Sequence, residues 1–258
     1  TTVPPGLPVA LTYAGNATAP VQAGSYAIVA TVTDPNYQGT ANGTLAFNRS
    51  DAVVLNNLVS GSGGVTQRGT GVLTLTAGNT YTGATVVSSG VLNISGSVNH
   101  PSNSLAIANV AGKSVVNVTG SVSAVNLYTG SVSGGIGALN LAPGGTINIG
   151  ADSEIAFNMG VNTGGYGYYS QTGGTLNTSR FQFGAQSGQG AATGLGRMSA
   201  GTVNNTTYMI LSRTANSTGV FTITGGTLDR SGVTNAGHTL GLGWDNATGR
   251  AELNVNGG

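Results

Sequence analysis

Asp152 and Glu154 are the closest acidic pair in a chain with only seven acidic side chains among 258 residues. On an extended strand residues i and i+2 point to one side, so the pair would share a face, the simplest arrangement for a general acid beside a general base. The same spacing fits a solvated turn after Ile149-Gly150, and polysaccharide cleavage needs acids and bases gathered more densely in one groove. The sequence therefore predicts no catalytic residue and no enzyme. A second set, His238, Trp244 and Asp245, combines an aromatic face with a carboxylate, a common way to hold a hydroxyl-rich ring. The competing expectation is that Trp244 covers a structural coil beside Leu240-Gly-Leu-Gly243. Tyr166, Tyr168 and Tyr169, set among glycines, offer an exposed aromatic strip, or else stack on neighbouring strands. These six residues are the expected binding surface, with a glycan as the ligand.

Other patterns fail on inspection. Gly112-Lys-Ser114 resembles the end of a phosphate loop, but Ile107 stands where its first Gly is required. Gly134-Gly-Ile-Gly137 resembles the start of a calcium-binding nonapeptide but lacks the Asp that would ligate the ion. Gly188-Gln-Gly190 reads as a corner, because no helix follows for a dinucleotide to sit on. No cofactor and no metal are expected. There is no Cys, which excludes a disulfide framework and a thiolate zinc site. A formal net charge of +1 and scattered basic residues remove the electrostatic footprint of a nucleic-acid binder. No apolar run reaches the roughly 18 residues that span a bilayer, so no transmembrane segment is expected.

The elements that must carry these residues announce themselves by repetition. Pro143-Gly-Gly-Thr-Ile147, Thr172-Gly-Gly-Thr-Leu176, Ala200-Gly-Thr-Val203 and Thr224-Gly-Gly-Thr-Leu228 place a Gly before Thr at positions 145, 174, 201 and 226, and Val255-Asn-Gly-Gly258 begins a further copy. Steps of 25 to 29 residues between those positions are the spacing of stacked coils. Each copy is too short to bury an apolar face alone and must lean on its neighbours. Aliphatic-Asn-aliphatic triplets recur at Leu92-Asn-Ile94, Val116-Asn-Val118, Val125-Asn-Leu127, Leu139-Asn-Leu141, Ile147-Asn-Ile149 and Leu253-Asn-Val255. Each puts two apolar side chains inward and Asn outward, as on one face of a parallel sheet. Phe181-Gln-Phe-Gly184, Met209-Ile-Leu211 and Leu240-Gly-Leu-Gly243 read as a second strand of each coil. Seven or eight coils at about 4.8 Å each make a rod roughly 35 Å long.

The N-terminal residues read differently. Val9 to Tyr13, Gly24 to Val32 and Gly43 to Phe47 alternate as three strands, separated by the turn signals Gly15-Asn16 and Asp34-Pro-Asn36. Leu11-Thr-Tyr-Ala-Gly-Asn-Ala-Thr-Ala-Pro20, Ala23-Gly-Ser-Tyr-Ala-Ile-Val-Ala-Thr-Val32 and Asn36-Tyr-Gln-Gly-Thr40 together are similar to the MBG, Ig-like repeat of large bacterial surface proteins. The resemblance implies a strand or two before Thr1, hence a partial module with an unpaired edge. Further on, Gly69-Thr-Gly-Val-Leu-Thr-Leu-Thr-Ala-Gly-Asn-Thr-Tyr-Thr-Gly83, with Thr85-Val-Val87 and Gly90-Val-Leu-Asn-Ile94, resembles the autotransporter-associated β-strand repeat. That family implies a secreted passenger folded as a right-handed parallel β-helix.

The expected fold is thus all-β, with a partial Ig-like β-sandwich module over 1–48, a junction over 49–57 and a right-handed parallel β-helix over 58–258. The expected function is a structural stalk or adhesin segment of a large autotransporter-like protein, secreted or exposed on the outer membrane of a bacterial cell. A glycan-binding or glycan-cleaving β-helix and a self-assembling fibre subunit are the alternatives. Expected partners are surface glycans, other cell-surface proteins or further copies of the chain, the last because the rung at Leu253 to Val255 ends without a polar cap.

Overall fold

The computed structural model describes residues 9–13, 15–18, 28–32, 43–233, 237, 239–245 and 248–257, and among these there is no helix. Val9–Tyr13 and Ile28–Val32 form an antiparallel pair in which Val9 faces Val32 and Tyr13 faces Ile28. Tyr13 turns back on Asn16 through two backbone hydrogen bonds, where Gly15 takes a φ of 86°. The rest of the expected Ig-like module up to residue 42 lies outside the described residues, apart from this pair and its turn.

All other strands belong to one sheet whose coil-to-coil pairings are parallel. The chain winds as a parallel β-helix with three faces. The first face holds Val53–Leu55, Val72–Leu75, Gly90–Ile94, Gly112–Val118, Gly135–Leu141, the leading halves of Tyr166–Thr178 and Thr193–Asn205, then Thr218–Ile223 and Arg250–Val255. The second runs from Gly78–Asn79 through Thr146–Ile149 to Thr227–Asp229. The third runs from Leu45–Phe47 through Phe157–Met159, Phe181–Phe183 and Met209–Leu211 to Leu240–Leu242.

The repeated Gly-Thr phrase marks a column on the second face. Thr146 pairs with Thr175, Thr175 with Thr202 and Thr202 with Thr227. The preceding glycines explain why the phrase recurs. Gly174, Gly201 and Gly226 all have positive φ, and a Cβ on each would lie 2.4, 2.5 and 2.6 Å from the carbonyl oxygen of the glycine one coil earlier. Only glycine fits both the dihedral and the space.

Inside, one apolar core runs along the axis from Phe47 to Ile223. Burial of each Leu, Ile, Val or Phe removes apolar area worth about 1.5–3 kcal/mol from water. Four of the five phenylalanines gather in the middle: Phe157 stacks on Phe181 at 5.3 Å, Phe183 on Phe221 at 5.4 Å, and Phe181 meets Phe183 and Phe221 edge-on at 4.9 Å. Outside, asparagines form two ladders. Asn140 donates to Asn117 and Asn117 to Asn93, each at 2.8 Å, on the first face. Asn204 donates to Asn177 and Asn177 to Asn148, each at 2.7 Å, on the second. Stacking identical amides one rung apart lets each serve as donor to one neighbour and acceptor to the next.

Leu45–Phe47, within the stretch expected to form the Ig-like module, pairs in parallel with Val65–Gln67 and puts Phe47 into the solenoid core. Val53–Leu55, inside the expected junction, pairs in parallel with Val72–Leu75. Parallel pairing therefore starts before residue 58: among the described residues the first face has nine rungs, eight beyond residue 58, within the expected seven or eight, and one more at Val53–Leu55. Eight spacings of about 4.8 Å give a rod of about 38 Å. The physical reason is that a three-residue alternating strand has the same pattern in an antiparallel sandwich and in a parallel coil. The Asn triplets also divide: those at 92, 116, 139 and 253 lie on the first face, Ile147-Asn-Ile149 lies on the second, and Val125-Asn-Leu127 bridges the second and third.

A candidate binding surface on the third face

The strands of the third face are short, and on the consecutive strands Phe157–Met159, Phe181–Phe183 and Met209–Leu211 the outward side is covered. Asn158, Gln182 and Ile210 occupy one outward column, followed by Gly241, and the first three are almost fully buried. Their cover comes from the segments that enter and leave the face. On entry, Asp152 and Arg180 lie one coil apart, with Thr207 and Tyr208 on the next coil, where Thr206 and Thr207 hydrogen-bond through their backbone nitrogens to Thr178 and Ser179. On exit, the backbone nitrogens of Trp244 and Asp245 bond to Ser212 and Arg213, which sets Asp245 directly beside Arg213.

The side chains of these segments close into a ring. Arg180 Nε donates to Asp152 Oδ1 at 2.9 Å, and Thr207 Oγ1 donates to the same oxygen at 3.1 Å. The Arg180 guanidinium lies 4.5 Å from the centre of the Tyr208 ring, a cation–π contact. Tyr208 meets Trp244 edge-on at 5.7 Å. Next to Trp244 in the chain, Asp245 accepts from Arg213 at 3.0 Å, and Arg213 also pairs with Glu154 at 3.0 Å. The turn of Asp152 to Glu154 completes the circuit. At one end Asn158 donates to the Glu154 carbonyl at 3.2 Å; at the other Trp244 lies against Gly241, where a Cβ would be 2.3 Å from the indole. Exposed ion pairs are individually worth about 0–1 kcal/mol. Arg213 is the exception, since its side chain is only 12% exposed and it serves two carboxylates.

Of the expected surface residues, Trp244 and Asp245 take part in this ring. Asp152 and Glu154, weighed as an acid and base pair, sit in a turn and not on a strand, each against a different arginine. Tyr166 and Tyr168 are half-buried on the outward side of the first face, away from the ring's strands. Tyr169 is a correction: it points inward and is fully buried against Phe157 at 5.1 Å, with its hydroxyl donating to Gln171. Successive strand residues alternate sides, so three consecutive-looking tyrosines could not all face solvent. Burial pushes the Tyr169 hydroxyl well above its ordinary range. His238 lies outside the described residues.

Arg180, Arg213, Thr207 and Tyr208 were missed in the sequence. The available signal was opposite charge one coil away, 28 residues for Asp152 and Arg180 and 32 for Arg213 and Asp245. Among the described residues no three His, Cys, Asp or Glu side chains gather as metal ligands, and no helix is long and apolar enough to cross a membrane.

No curated protein and no solved structure matches the chain. Residues 1–51 match the family model of the MBG domain, and residues 65–94 match that of the passenger-associated-transport-repeat. The second match covers Val65–Gln67 to Gly90–Ile94, about one and a half turns of the coil. The chain therefore joins a stretch matching the MBG domain to a parallel β-helix, one part of which matches the passenger-associated-transport-repeat.

Proposed function

We propose that this chain is a non-catalytic stalk segment of a secreted or surface-exposed bacterial protein, extending an adhesive surface away from the cell. The observation that carries this is the passenger repeat at 65–94 lying in register within an unbroken parallel coil. A coil of this kind turns chain length into reach, because each added turn contacts only its neighbours and lengthens the rod by one strand spacing. Charged residues make up 6% of the chain, which limits repulsion between neighbouring rods. The non-catalytic reading is supported by geometry: Asp152, Glu154 and Asp245 each lie against an arginine and tie neighbouring coils together.

Fusion of the chain between a signal peptide and an outer-membrane translocator provides the test. The expected result is an epitope on the chain that is accessible on intact cells and a folded core that resists added protease. Retention inside the cell, or turnover of a polysaccharide that disappears in Glu154→Gln, would sink the proposal.

A further inference from the structure

We infer that the ring on the third face is a binding site for a neutral saccharide. A sugar ring presents an apolar CH face and a rim of hydroxyls, and this site offers a counterpart for each. Trp244, the only tryptophan of the chain, is 39% exposed, and it stands against Tyr208. Aromatic side chains are the usual platform for the CH face. The hydroxyl rim finds acceptors already fixed in place: Asp152 and Asp245 are oriented by Arg180 and Arg213, yet their side chains stay 47% and 39% exposed. Groups held before binding lose little entropy on it.

Beneath the ring Asn158 and Gln182 are fully buried, and their side-chain oxygens, like Arg213 Nη1, are closed to solvent, so the contacts to a ligand come from the exposed groups of the ring. The charges of the ring disfavour an acidic ligand. Three carboxylates share two guanidiniums, which leaves one net negative charge, and an acidic sugar would have to break an existing pair to gain a cation. A purely structural clasp across the coils would need the ion pairs but not the exposed indole.

The inference stands apart from the stalk proposal, because secretion and reach are read by other measurements. Trp244 emission reports on this site alone. The full chain is titrated with neutral oligosaccharides of glucose, galactose, mannose and N-acetylglucosamine, with sialylated and sulfated oligosaccharides in parallel. At least one neutral series should give a saturable emission change, matched by calorimetry. Asp152→Asn and Tyr208→Ala should weaken it at least tenfold, while Asn117→Ala on the first face leaves it unchanged. Each variant is used only if it melts within a few degrees of the parent, with Asp245→Asn replacing any that does not. No saturable response to the neutral panel, a response confined to acidic glycans, or undiminished binding by the folded ring variants would each overturn the inference.

Discussion

His100 is fully buried where the second face turns into the third, in a chain of polar atoms that runs from the buried Tyr81 to the half-buried Asn103. Its Nε2 lies 2.9 Å from Thr85 Oγ1, which lies 2.5 Å from the Tyr81 hydroxyl, and its Nδ1 is 3.2 Å from the Asn103 carbonyl. Burial pushes the imidazole below its ordinary value of 6.5, against a smaller opposing pull from backbone hydrogen bonds. Burial also pushes the Tyr81 hydroxyl from 10.0 up to about 12. For the imidazole, the unfolded chain binds a proton that the folded chain refuses, so its contribution is intact above pH 6.5 and is lost as pH falls below it. For the phenol the unfolded chain gives up its proton first, so stability falls above pH 10 by roughly 3 kcal/mol at most. Urea unfolding across pH should show a plateau between the two limits with a decline on each side. His100→Gln should flatten the decline from pH 6.5 to 4.5; since His238 remains in that variant, an unchanged slope would assign the effect elsewhere.

At the scale of a rung, two substitutions separate packing from pairing. Gly196 stands between Tyr169 and Phe221 on the inward side of the first face, and a Cβ there would lie 2.5 Å from the Phe183 ring and 2.6 Å from the Phe221 ring. Its φ is ordinary, so Gly196→Ala should destabilise through overpacking alone, by about 1–3 kcal/mol in chemical denaturation. A neutral or stabilising result would mean that the aromatic cluster yields. Asn177, the middle of a ladder, donates to one amide and accepts from another, and Asn177→Ala should cost about 1–2 kcal/mol. Asn148→Ala, which leaves one ladder bond intact on the next rung, should cost less. The rungs were readable in the sequence where backbone geometry forces a residue type: Gly174, Gly201 and Gly226 had to be glycine, so the threonine register could be placed to the residue. They were unreadable where the pattern is shared by several structures, as at Leu45 to Phe47. The ring was hidden for a third reason. Its partners are a full coil apart, and the coil grows from 20 residues, Leu45 to Val65, to 32, Thr218 to Arg250, so no fixed period aligns Asp152 with Arg180 or Arg213 with Asp245.

That lengthening also decides where the molecule can carry a site. Short coils spend nearly all their residues on strands, whereas long ones have chain to spare at the corners, and the added segments are what cover the third face near Gln182 and Ile210. The rod itself should tolerate loss of a whole coil provided that the register survives. Gly112 pairs with Gly135 through a run ending at Val118 and Leu141, so deleting the 23 residues from 112 to 134 sets Gly135 in the place of Gly112. Leu139 would then stack on Leu92 and Asn140 on Asn93, preserving both the inward apolar column and the outward ladder. Deleting 113 to 134 leaves one residue too many and turns each inward side chain outward along that rung. Nearest-neighbour stability predicts that the first deletion melts cooperatively, close to the parent, with a maximum dimension in solution scattering shorter by about 5 Å. The second should lose the cooperative transition. If both deletions behave alike, the coils are not exchangeable units, and stability would have to reside in contacts peculiar to each turn, such as the aromatic cluster of Phe157, Phe181, Phe183 and Phe221.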